Sequence, residues 1–120
     1  MENVEERRHV SGLIKKVLLS EIVVRDAINA FPFGSEDESI KAAYHALVHY
    51  EADEDLRQKD DLYKEEQDDY LLMICNTLEK GEDLPINIIN SYKEYYKTAN
   101  IKNEDNFMGK VKSFFKMLNV

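Results

Sequence analysis

The run Val17-Leu-Leu-Ser-Glu-Ile-Val-Val24 is the most apolar stretch of the chain, and it lies inside a helical pattern extending from about Val10 to Phe31. At about 100° per residue, Val10, Leu13, Ile14, Val17, Val24, Ile28 and Phe31 fall within roughly one third of a helix circumference, the width of a buried stripe. One continuous helix at the centre of a bundle is the expectation. On that wheel Leu19 and Val23 project from the opposite face, which calls for a second covering surface and points to a homodimer interface. Glu21 falls about 20° from Val10, inside the buried stripe, where a carboxylate must be paired, protonated or metal-bound.

Working outward, the polar residues Met1 to His9 either extend this helix or fray. Phe31-Pro32-Phe33-Gly34 ends it, because the residue before proline is driven out of the α region and glycine favours a turn. Ser35-Glu-Asp-Glu38 reads as a capping box opening a second helix to about Asp55, with Ile40, Ala43, Tyr44, Leu47 and Tyr50 inward. Asp60 or Asp61 caps a third helix ending at Lys80, where Gly81 is a C-terminal signal. Its nearly all-apolar segment Leu71 to Cys75 is the expected packing partner of Val17 to Val24, and these two helices form the expected centre. Pro85 opens a fourth helix with the face Ile88, Ile89, Tyr92, Tyr95, Tyr96 and Ala99. A last helix carries Phe107, Val111, Phe114, Phe115 and Leu118 opposite Lys110, Lys112 and Lys116.

The fold class expected is therefore all-α: a single domain over residues 1–120, built as a four- or five-helix bundle with short loops. Four glycines, two prolines and a charged fraction of 33% agree with helices joined by few turns. The one cysteine, Cys75, excludes an intramolecular disulfide, and the apolar runs fall short of the roughly 18 residues that span a bilayer. A cytoplasmic protein without a membrane span is expected.

The net charge of −8 is unevenly spread. Glu51 to Asp69 holds ten acids and three bases, whereas residues 86–120 hold six lysines and three acids. Such polarity argues against nucleic-acid binding, which needs a dense cationic face.

The chemistry-bearing spacings are few. His45 and His49 lie four residues apart, so both rings share one face and could share a metal ion, although they point roughly 140° and 180° from Ile40, toward solvent or a neighbour. Ala46 stands where a zinc protease helix needs Glu. Glu6-x-x-His9 lacks the second copy a di-iron bundle requires. A calcium loop starting at Asp53 fails because Gln58 and Lys64 occupy its glycine and glutamate positions.

No catalytic residue is nominated. The functional reading preferred is a non-catalytic protein–protein interaction or regulatory module, without a cofactor, that presents Asp53, Glu54, Asp55, Asp60 and Asp61 to a basic protein partner. The alternative is a metal-binding helical protein or enzyme that gathers Glu21, His45 and His49 around a divalent metal.

Overall fold

A computed structural model describes residues 2–32 and 34–99. These form six helices: α1 (Glu2–Leu18), α2 (Val24–Asn29), α3 (Glu38–Ala52), α4 (Glu54–Lys59), α5 (Asp61–Glu79) and α6 (Ile86–Ala99). The architecture is an all-α bundle of four long helices and two six-residue ones. None is long and apolar enough to cross a membrane among the described residues. The expected last helix, Phe107 to Leu118, lies outside the described residues.

The first helix begins at Glu2 and takes in the polar start. It ends at Leu18, which corrects the expectation of one helix through Phe31. Ser20 takes the left-handed conformation at φ 59°, its N–H donates to Val17 O (3.0 Å), and the Glu21 N–H donates to Lys16 O (2.8 Å). This crossed pair of bonds is a Schellman cap, which satisfies terminal carbonyls and turns the chain. Val10, Leu13, Ile14 and Val17 still form the buried face of α1, and Ile28 and Phe31 still reach the core, but through the separate helix α2 and its end.

The most extensive helix pairing is α1 with α5, the pair expected from the sequence. The most enclosed helix, however, is α3. Ile40, Ala42, Ala43, His45, Ala46, Leu47, Val48 and His49 are all buried, so almost its whole circumference is covered. Five helices, α1, α2, α4, α5 and α6, contact it.

Caps set the helix boundaries. α3 starts at Asp37, whose carboxylate accepts from the Ser39 N–H (2.9 Å), while Ser35 Oγ accepts from the Asp37 N–H (3.1 Å). The expected Ser35/Glu38 capping box is thus displaced by two residues. Asp60 caps α5 through the Tyr63 N–H (3.1 Å). Gly81, at φ 75°, closes α5 with bonds to Leu78 O and from Glu82 to Thr77 O.

Arg7 ties α1 to the start of α3 and the end of α5. Its guanidinium bonds Asp37 before α3 and both Gly81 O (2.9 Å) and Asp83 (2.6 Å) in the loop after α5. In that same loop the Leu84 N–H donates to Ser39 Oγ of α3 (2.9 Å).

Candidate functional site

The acidic segment folds into a corner formed by α4 and the start of α5. α3 stops at Ala52, the chain turns at Asp53 into the short helix α4, and turns again at Asp60 into α5. Glu54, Asp55, Asp60 and Asp61 are exposed on this corner, and Glu65, Glu66 and Asp69 continue the charge along α5. Lys59 and Lys64 are the exposed cations between Glu51 and Asp69, and Lys64 is paired to Asp68 at 2.7 Å. Electrostatically the corner is an anionic surface open to solvent.

Asp53 does not belong to that surface. It is 0% exposed, which corrects its expected place among partner-binding residues. Its Oδ2 accepts from the Tyr63 hydroxyl (2.6 Å) and from Gln67 Nε2 (3.2 Å), both on α5. Arg57, also buried, donates to the Tyr50 carbonyl and to Gln67 Oε1 (3.1 Å), with its guanidinium 3.5 Å above the Tyr50 ring. The Tyr50 hydroxyl donates to Asp68 (2.6 Å), and burial, reinforced by that carboxylate, pushes its pKa up to about 12. This network stitches α3, α4 and α5 together beneath the acidic corner. The sequence signal for it was two four-residue spacings, Asp53/Arg57 and Tyr63/Gln67, which place each pair on one helix face.

His45 and His49 are buried, so of the two directions the spacing allows, solvent or a neighbour, the rings take the second. α6 supplies that neighbour, covering the face of α3 on which His45 lies. The two rings stand edge to face at 5.1 Å between centroids, and His45 meets Tyr92 (5.6 Å) and Tyr95 (4.9 Å) of α6. Burial lowers the His45 pKa from 6.5 to about 4, and burial together with the neighbouring His45 charge lowers that of His49. Both are neutral imidazoles at pH 7.

Glu21 lies in the exposed turn after the α1 cap, not in the core, because the chain leaves the helix before reaching it. Among the described residues no group of three or more His, Cys, Asp or Glu side chains is placed to hold a metal ion, so Glu21 and the two histidines are not gathered into one site. Glu21 instead lines a groove of about 490 Å³ with Val23, Tyr50, Glu51 and Glu54. Arg25 reaches Glu51 beside it. Leu19 and Val23 are 61% and 64% exposed at the same turn. Cys75 is buried at the α1–α5 contact, where Ser11 Oγ donates to its carbonyl at 2.9 Å.

Compared with protein-family models, curated proteins and solved structures, the chain matches none of the three.

Proposed function

We propose that this protein is a non-catalytic interaction module whose α4–α5 corner docks a basic protein partner. The observation that carries the reading is the set of seven exposed carboxylates, Glu54, Asp55, Asp60, Asp61, Glu65, Glu66 and Asp69, that runs from α4 through its turn into the first half of α5. A surface with so large an excess of carboxylates over its two exposed lysines, Lys59 and Lys64, raises association rates with cationic partners and disfavours anionic ones. The buried network under the corner supports the reading from a second side. It fixes α4 against α5, so the carboxylates sit on an ordered frame and lose little conformational freedom on binding.

Two accompanying proposals extend the reading. The exposed Leu19 and Val23 suit a homodimer contact remote in sequence from the acidic corner, and a cytoplasmic setting suits a chain whose one cysteine is a buried thiol.

The test is an affinity pull-down followed by titration of the captured partner at increasing ionic strength. Binding through the corner weakens steeply with salt, and the combined variant Asp55→Asn, Asp60→Asn, Asp61→Asn slows association while leaving the circular dichroism spectrum unchanged. Salt-independent binding that this variant does not alter would remove the proposal. Light scattering with Leu19→Ser and Val23→Ser tests the dimer separately, since a dimer held by these side chains dissociates when they become polar.

A further inference from the structure

We infer that the partner's docking element is a cationic amphipathic helix laid along the outer face of α5; this rests on the acidic-corner reading and specifies its partner. Two apolar side chains break the charge on that face. Leu62 is 65% exposed and Leu72 is 45% exposed. They lie ten residues apart on one continuous helix, about 15 Å or three turns. Glu65, Glu66 and Asp69 lie between them. On a helical wheel all five residues fall within about 120°, so they form one stripe. The opposite side of α5 is occupied: Leu71, Ile74, Cys75 and Leu78 are buried, and α1, α3 and α4 pack on the helix.

The pattern selects its occupant. Exposed leucines about three turns apart, with acids between them, match a second helix that sets apolar residues against Leu62 and Leu72 and Lys or Arg against Glu65, Glu66 and Asp69. A second copy of this chain laid on the same face would bring these carboxylates against their equals, which like-charge repulsion opposes. An anionic lipid surface is disfavoured for the same reason. A structureless basic peptide would satisfy the acids and leave both leucines in water.

The experiment uses two fluorescein-labelled Leu/Lys/Ala peptides of identical composition and charge. One has its leucines at three-and-four spacing; in the other they are scattered around the helix. Anisotropy titration of the full chain should show the amphipathic peptide binding about tenfold more tightly than its permuted partner, with a helical circular dichroism signal gained on binding. Leu62→Ser with Leu72→Ser should reduce it to the level of the permuted peptide. Equal binding of both peptides, lost on neutralising Glu65, Glu66 and Asp69, would overturn this inference and leave the acidic-corner reading standing. Absence of binding by either peptide would overturn both. Self-association of the chain that Leu62→Ser abolishes would place a second copy on the face and also overturn the inference.

Discussion

Arg7 closes a two-point fork on Asp37, with Nε 2.8 Å from Oδ2 and Nη2 3.1 Å from Oδ1. The same carboxylate caps α3, so one side chain serves a helix terminus and a long-range ion pair together. Burial acts to raise the Asp37 pKa, and the hydrogen bonds and charge of Arg7, joined by the Ser39 and Ile40 N–H groups, outweigh it and hold the carboxyl below its ordinary 3.8. The folded value lies below the unfolded one. The stabilisation is therefore complete above pH 3.8 and is lost as pH falls through the lower, folded value. Arg7→Met should reduce unfolding free energy by about 3 kcal/mol at pH 7. In urea melts the gap between wild type and variant should narrow below pH 3.8; a gap constant across that range would show that the fork contributes no charge-dependent stability.

The histidine pair gives a pH response in a separate window. Folded His45 protonates near 4 and its unfolded form near 6.5, so the unfolded chain binds more protons between these values and stability must fall as pH drops from 6.5 toward 4. Above 6.5 the contribution is flat. At 1.36 kcal/mol per pH unit the interval corresponds to about 3 kcal/mol. Tyr92 and Tyr95 of α6, beside His45, are phenols with raised pKa values, and Asp53, one turn beyond His49 at the C-terminal cap of α3, accepts from Tyr63 and Gln67. Denaturant midpoints measured between pH 7 and pH 4 should slope downward in the wild type and flatten in His45→Gln/His49→Gln. An equal slope in the variant would assign the acid sensitivity to other groups.

Asp53 and Asp55, two residues apart in sequence, should respond unequally to truncation. Asp53→Ala removes the carboxylate that accepts from the Tyr63 hydroxyl and from Gln67 Nε2, and leaves Gln67 Nε2 its bond to the Tyr63 hydroxyl oxygen (3.1 Å), which costs about 1–3 kcal/mol. Asp55 is exposed and takes part in no ion pair among the described residues, so Asp55→Ala should stay within about 0.5 kcal/mol of wild type. Chemical denaturation of the two variants side by side decides this. Equal losses would mean that Asp53 is not the buried anchor of α4.

These contrasts show which parts of the fold were legible in the sequence. The Val10–Val17 stripe, the Asp60 cap, the Phe31-Pro32 break and the Gly81 stop were readable because each is decided by side chains within one or two turns. The burial of His45 was not, since it depends on α6 arriving over forty residues later in the chain on a face that the local pattern leaves open to solvent or a neighbour. Asp53 was misplaced for a related reason: its neighbours in sequence are exposed acids, and its hydrogen-bond partners sit on the next long helix. The candidate metal site depends on the same long-range contacts. A helix continued through Glu21 buries a carboxylate that the fold exposes, and a wheel of α3 alone does not decide between solvent and a neighbour for two imidazoles that the fold buries.

Ser20 and Gly81 occupy equivalent positions in two Schellman caps, yet one was legible and the other was not. Glycine announces a left-handed residue, whereas serine within an apolar run does not. Placing a non-glycine residue in the left-handed region costs about 1–2 kcal/mol, and at Ser20 the surrounding bonds to Val17 and Lys16 carbonyls hold it there. Ser20→Gly relieves that cost and gives back part of it as extra freedom in the unfolded chain, so a net gain of about 0.5–1 kcal/mol is expected. In a continuous helix through Val24 the same substitution would instead lose about 0.5 kcal/mol, because glycine is the poorer helix former. Thermal and urea unfolding of Ser20→Gly therefore distinguishes the two structures by sign alone. A rise of a few degrees in melting temperature supports the turn after α1, and a fall would restore the uninterrupted helix and return Glu21 to the buried stripe.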